Sequence, residues 1–178
     1  MTLALLLLIT MMWIPAGLFL LGRGEAKSTG LLTGVVGALT VIGALLQAAV
    51  FKDPFMAGFL FGFGCLFLTL AYALLEGLTD FTTVGNAALV VAISSAIYCF
   101  LFINGGATKA GGAPTIATSH YLAFCAATWV ILTLSIFAFT RGKASGKLVG
   151  WELIVLSFLT LYVPAISLLG YGKLPFGN

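Results

Sequence analysis

Long uncharged apolar runs alternate with short polar joints along the whole chain. The first, Thr2 to Leu21, carries no charge and is closed by Arg23, Glu25 and Lys27. Others run from about Thr29 to Phe51, Phe55 to Leu75, Val84 to Ile103, Tyr121 to Phe139 and Leu148 to Leu169. Each is near the roughly 20 residues that an α-helix needs to cross hydrocarbon. The pattern therefore predicts an all-α membrane protein, a six-transmembrane-helix bundle with spans at about 2–21, 29–51, 55–75, 84–103, 121–139 and 148–169 in a single integral domain, 1–178. The joints Lys52-Asp53-Pro54, Glu76 to Thr83 and Arg141 to Lys147 are too short for anything but antiparallel neighbours. Asn104 to Ser119, rich in Gly, Ala and Thr, is expected to be a mobile external loop or to fold partly over a pore mouth. The first run is longer than a signal-peptide core and nothing basic precedes it, so a retained helix is expected, with Pro15 introducing a kink.

Composition agrees. Of 178 residues 61% are apolar and 7% charged, where a soluble domain carries about 25% charged residues. Mean hydropathy is +1.18. The net charge of +3 is scattered singly, which excludes a nucleic-acid surface and a polybasic lipid-binding tract. Cys65, Cys99 and Cys125 lie inside apolar runs, where cysteine behaves as a small hydrophobe, with no metal-ligand or disulfide spacing. One His and no neighbouring carboxylates remove most routes to hydrolytic or metal chemistry, so neither enzymatic activity nor a cofactor is expected. Arg23, Lys27, Arg141, Lys143 and Lys147 lie in the odd loops, against Lys52, Lys109 and Lys173 on the other side. The excess of basic residues places the odd loops in the cytoplasm and both termini outside the cytoplasmic membrane.

Polar atoms inside hydrocarbon are costly, so function is sought there. Glu152 is the one ionisable acidic or basic residue well inside a predicted span. Either it lines a conduction path and accepts hydrogen bonds from a solute, or it is a carboxylate near an interface pairing with Lys147 or a neighbour. Proton coupling would need a second titratable partner in the bilayer. Asn86, Ser94, Ser95, Thr69, Thr128, Thr133, Ser157 and Thr160 add weak polarity, and hydroxyls of this kind mostly bond their own helix carbonyls. Tyr121 and Trp151, near span ends, suit an interfacial belt. Trp13 and Trp129 fall mid-span, where they face either a common cavity or lipid. His120 is expected to be solvated. A path lined by hydroxyls and aromatics suits a small uncharged polar solute.

Several short segments, in order over nearly the full chain, carry a family pattern. Glu25 to Thr29 reads Glu-Ala-Lys-Ser-Thr, Val36 to Leu39 reads Val-Gly-Ala-Leu, and Leu60 to Phe63 reads Leu-Phe-Gly-Phe. Val91 to Ile93, the mid-span Trp129, Gly146 to Trp151 and the Thr-x-Tyr-x-Pro of Thr160 to Pro164 follow. The chain thus resembles the AmiS/UreI family of urea and short-chain amide channels. The resemblance implies a passive pore through each protomer, protomers assembled as a homo-hexamer in the lipid bilayer, and aromatic constrictions admitting small neutral amides. Carried over by position, it makes Phe61 a pore-lining residue and puts Cys65 in place of a pore Tyr. Trp129 is the middle member of a tryptophan set whose flanks fall on Ala126 and Thr133. Tyr162 stands for a Trp, Leu6 and Trp13 occupy pore-facing positions, and Ala16 replaces an Asn. Leu156 stands where acid-gated members bear a Glu, with Glu152 one turn earlier on the same face. With only His120 available for an external pH sensor, no acid gate is expected. The expectation is a passive channel for acetamide- or formamide-like solutes, with urea as a further candidate. The rivals are a proton-coupled amide transporter using Glu152 and a non-conducting membrane assembly subunit.

Overall fold

Every predicted apolar run becomes helix. The computed structural model describes residues 2–107, 112 and 116–175, the side chains of Thr2 and Leu3 excepted. Helices α1 (Thr2–Leu20), α2 (Ala26–Ala49), α3 (Pro54–Leu75), α4 (Thr82–Asn104) and α5 (His120–Thr140) are followed by α6 (Gly146–Leu156), a π-helical segment (Ser157–Tyr162) and α7 (Val163–Tyr171). No strand occurs among the described residues. Four of these helices, α2 to α5, and the continuous stretch Gly146–Tyr171 are long and apolar enough to cross a membrane; α1 is a shorter apolar helix. Of the six expected spans, five stretches are thus of spanning length and α1 stands beside them as a shorter apolar helix, and the last span is three segments run together.

Local chemistry fixes the helix starts. Asp53 caps α3, accepting from the Met56 N–H at 3.1 Å, with Pro54 behind it where no N–H is needed. Ser119 and Ser145 do the same for α5 and α6, accepting from Leu122 and Leu148. Gly105, with φ of 78°, ends α4 in the left-handed conformation. Among the described residues of the following loop, Ile116 donates to the Gly105 carbonyl and Ser119 to that of Phe102, and the Ile116 side chain packs on Phe102. The loop therefore folds back on the helix end. Its Lys109, counted above in the charge balance, lies outside the described residues.

The helices pack in chain order, α1 on α2, α2 on α3, α3 on α4, α4 on α5, α5 on α6, and α6 back on α1. That sequence closes a ring. Lipid offers no hydrophobic drive between helices, so close packing of small residues carries the seams. Between α2 and α3, Gly37 meets Phe67 and Leu68 while Gly64 meets Val41. Gly30 packs on Leu74, and Gly34 lies in ordinary contact with Ala71, whereas Ala38 is exposed. The four-residue series Gly30, Gly34 and Ala38 thus meets α3 through its first two members only, and Gly37 takes the contact further along. The ring's closing seam sets backbone against backbone. A methyl group on Gly17 of α1 would sit 2.7 Å from the Gly150 carbonyl oxygen of α6, and one on Gly150 would sit 2.9 Å from the Gly17 oxygen.

The π-helical segment has a sequence cause. Pro164 has no N–H to give. Val163 donates to the Phe158 carbonyl five residues back, so the Leu159 carbonyl finds neither Val163 nor Pro164 as a donor. Tyr121 of α5 supplies it, donating its hydroxyl to Leu159. A buried carbonyl left unpaired in hydrocarbon is costly, and one phenol from the neighbouring helix removes that cost. Tyr121, expected in an interfacial belt, is instead only 5% exposed. Tyr121→Phe should lower stability by about 1 kcal/mol, read as a drop in melting temperature of the detergent-solubilised protein.

Candidate functional site

One face of α3 is a column of phenylalanines at four-residue spacing, Phe55, Phe59, Phe63 and Phe67. Such spacing keeps side chains on one side of a helix. The column faces the ring's interior, where Phe59 is 3% and Phe63 5% exposed. Each rests against the Trp129 ring of α5 at a centroid distance of 5.4 Å, Phe59 tilted and Phe63 edge-on. Trp13 of α1 completes the group, edge-on to Trp129 at 6.3 Å. Further along, Tyr98 of α4 stacks on Phe59 at 4.2 Å and donates its hydroxyl to the Phe55 carbonyl. Rings from α1, α3, α4 and α5 therefore meet inside the bundle. Aromatic pairs in these geometries are worth about 0.5–1.5 kcal/mol each beyond burial.

Two cavities flank this group. The larger, about 390 Å³, reaches from Trp13, Met12 and Phe63 toward the end of the bundle marked by Leu20, Phe81, Thr140 and Gly146. The smaller, about 40 Å³, is lined by Leu5, Leu6, Ile9, Phe59, Trp129 and Leu161 among others. Trp13 and Phe63 line both. These two rings, with Trp129 against both of them, form the partition. Neither lining contains a charged residue, and hydroxyls enter only the larger, through Thr133 and Thr140. Both hydroxyls are already engaged, Thr133 with the Trp129 and Val130 carbonyls and Thr140 with that of Phe137.

Of the residues expected at a pore, Leu6, Trp13, Trp129 and Thr133 lie together around these cavities, and Ala16 lines the larger one. Phe61 does not: it is 45% exposed on the outside of α3, and Cys65, one turn on, is exposed with it. Two positions along a helix is a turn of about 200°, so Phe61 points away from the face that Phe59 and Phe63 share. The four-residue phenylalanine repeat marks the face of α3 that lies inside the ring. Glu152 belongs to neither lining; its Oε1 accepts a 3.0 Å hydrogen bond from Ser135 across the α5–α6 seam, and its Oε2 is buried without a partner among the described residues. Leu156, the last residue of α6, packs on the core outside both linings. Tyr162 rests on the half-exposed Phe158 at 5.5 Å and also lines neither cavity. Thr160 is buried and accepts the Trp129 indole N–H at 2.8 Å.

The remaining polar candidates serve the fold. Thr69, Ser94, Thr128 and Ser157 donate to carbonyls of their own helices. Asn86 accepts from Arg141, whose guanidinium also covers the Phe137 ring at 4.9 Å. Ser95 is fully buried with no hydrogen-bond partner among the described residues. Trp151 is 59% exposed, as an interfacial residue would be, and His120 is exposed at the start of α5. No group of His, Cys, Asp and Glu that could hold a metal occurs among the described residues.

The fold is similar to two solved structures from Helicobacter pylori. One is the cryoEM structure of its urea channel in the closed state, with 22% sequence identity and a TM-score of 0.79 over 95% of this chain and 97% of that one. The other is the crystal structure of the urea channel from the same human gastric pathogen, with 22% identity and a TM-score of 0.79 over 98% of this chain and all 100% of that one. At such identity the likeness establishes the fold alone. No curated protein sequence matches the chain. The family model of AmiS/UreI transporters matches residues 1–171. A sequence with this six-run pattern, this ring of helices and that match over nearly its whole length belongs to the AmiS/UreI family, a family of transporters and not of enzymes.

Proposed function

We propose that the protein is a passive channel for small neutral amides of acetamide or formamide size, urea included, with the path running through each protomer. The observation that carries this reading is the uncharged aromatic partition between two cavities inside a closed ring of helices. A solute crossing it sheds water, and each hydrogen bond left unreplaced costs about 1–3 kcal/mol. A small neutral amide bears that cost and presents a flat face to the rings of Trp13, Phe63 and Trp129; a hydrated ion meets no charge to replace its shell. Shallow binding keeps flux high.

The chain would sit as one integral unit in the cytoplasmic membrane with the odd loops inside, which puts the larger cavity on the cytoplasmic side and both termini outside. Protomers would assemble as the homo-hexamer that the family resemblance implies, with lipid against the remaining apolar surface. No acid gate is included, because His120 stands alone. Coupling to protons through Glu152 is disfavoured by its place on the α5–α6 seam, off both linings.

Proteoliposomes containing the protein should take up acetamide faster than empty vesicles with no ion gradient present. Equal rates in well-reconstituted vesicles would remove the reading. Glu152→Gln should leave acetamide uptake unchanged with or without a pH gradient. Loss of a pH-gradient dependence in that variant would instead establish coupled transport.

A further inference from the structure

We infer that Thr160 is a positioning residue of the aromatic partition, fixing the Trp129 indole and thereby the size of amide admitted, without touching the solute. This rests on the channel reading above. Thr160 is 1% exposed and lies in neither cavity lining. Its hydroxyl is used in both directions, donating to the Leu156 carbonyl at 2.8 Å and accepting from Trp129 Nε1 at 2.8 Å. A solute in the smaller cavity meets the indole and not that oxygen, and the larger cavity reaches neither.

The indole has reason to depend on this bond. Its ring neighbours are Trp13, Phe59 and Phe63, and all three contacts are aromatic. Such contacts constrain the ring's distance more than its direction, since tilted and edge-on arrangements are close in energy. The N–H is the directional element. In an apolar interior an indole N–H without an acceptor is costly, so Thr160 selects one setting of the Trp129 side-chain torsions.

Thr160 is itself held. It lies in the π-helical segment, next to Leu159, whose carbonyl takes the Tyr121 hydroxyl. Two bonds from α5, made by Tyr121 and Trp129, thus end on successive residues of that segment. The bracket ties the partition to the part of the bundle that Pro164 keeps out of regular α-helix.

The test pairs a local signal with selectivity. In protein labelled with ¹⁵N-tryptophan, the Trp129 indole resonance is identified by its loss in Trp129→Phe. Thr160→Val should shift that resonance and change the ratio of propionamide to acetamide uptake several-fold. Thr160→Ser, which keeps the hydroxyl, should restore both. In the Trp129→Phe background, where no N–H remains, adding Thr160→Val should leave the ratio as it was. An unmoved indole resonance in Thr160→Val, failure of Thr160→Ser to restore the ratio, or an equal effect of Thr160→Val in both backgrounds would each overturn the inference. Absence of amide uptake by the unmodified protein would sink the channel reading alone; the indole resonance would still decide whether Thr160 sets Trp129.

Discussion

Phe63→Ala should raise proteoliposome uptake of amides larger than acetamide by about tenfold, the change that a barrier lowered by about 1.4 kcal/mol produces. Phe61→Ala, two residues away, should leave the same rates where they are. Phe63 stands in the partition and faces both cavities, whereas Phe61 is 45% exposed on the outer surface of α3. Truncating the ring that both cavities share would open the proposed path between them and weaken an apolar constriction of the kind that excludes larger or better hydrated solutes. The comparison also decides between the two faces of α3, because each variant removes the same chemical group from the same helix. A companion Phe63→Leu keeps most of the volume and should give an intermediate rate; size-exclusion profiles of all three confirm that the fold survives. An equal effect of Phe61→Ala and Phe63→Ala would place the path elsewhere.

The seam between α1 and α6 should be the least tolerant site for side-chain volume. Gly17→Leu or Gly150→Leu should cost at least about 3 kcal/mol, at the upper end of what overpacking a tight interior usually costs. Little monodisperse protein should then be recovered in mild detergent. Added atoms at either position meet a backbone carbonyl oxygen of the facing glycine, and a carbonyl cannot turn aside as a side chain can. Gly170→Leu provides the control. Gly170 has nothing within 4 Å of where its Cβ would stand, so leucine there should leave yield and melting temperature unchanged. Normal recovery of both seam variants would mean that α1 and α6 stand further apart than described.

The spans were legible because hydrocarbon imposes a length and forbids charge, and both marks are written locally along the chain. Helix starts were nearly as plain: Asp53, followed by Pro54, and Ser145 sit where the caps form. The inner face of α3 was also written in the sequence, in the repeat Phe55, Phe59, Phe63, Phe67. A motif comparison that weighed Leu-Phe-Gly-Phe as a string passed over it, because a string does not say which of its residues share a face. The hydroxyls followed expectation at Thr133 and Ser157, which bond back within their own helices. Thr160 bonds its own helix as well, and what sequence could not show is the indole that also reaches it. That contact joins residues 31 positions apart and depends on how α5 and the π-helical segment rotate against each other. Pro164 announced an irregularity, but the orphaned Leu159 carbonyl and its Tyr121 donor follow only from the packed arrangement. Glu152 was legible as an ionisable residue inside the last span, but that it turns to Ser135 on the α5–α6 seam was not, since depth in a span is read from position and direction is read from neighbours.

The inequality of the two cavities has a pharmacological consequence. A volume of about 390 Å³ falls in the range of pockets that hold drug-sized molecules, while about 40 Å³ is close to the room taken by a single water. A passive pore must still conduct equally in both directions at equal concentrations. Blockade is under no such symmetry: a compound shaped to the roomier chamber should inhibit when supplied to the compartment it adjoins and be inert from the opposite one, so vesicles of uniform orientation would report sidedness through an inhibitor that net flux alone conceals.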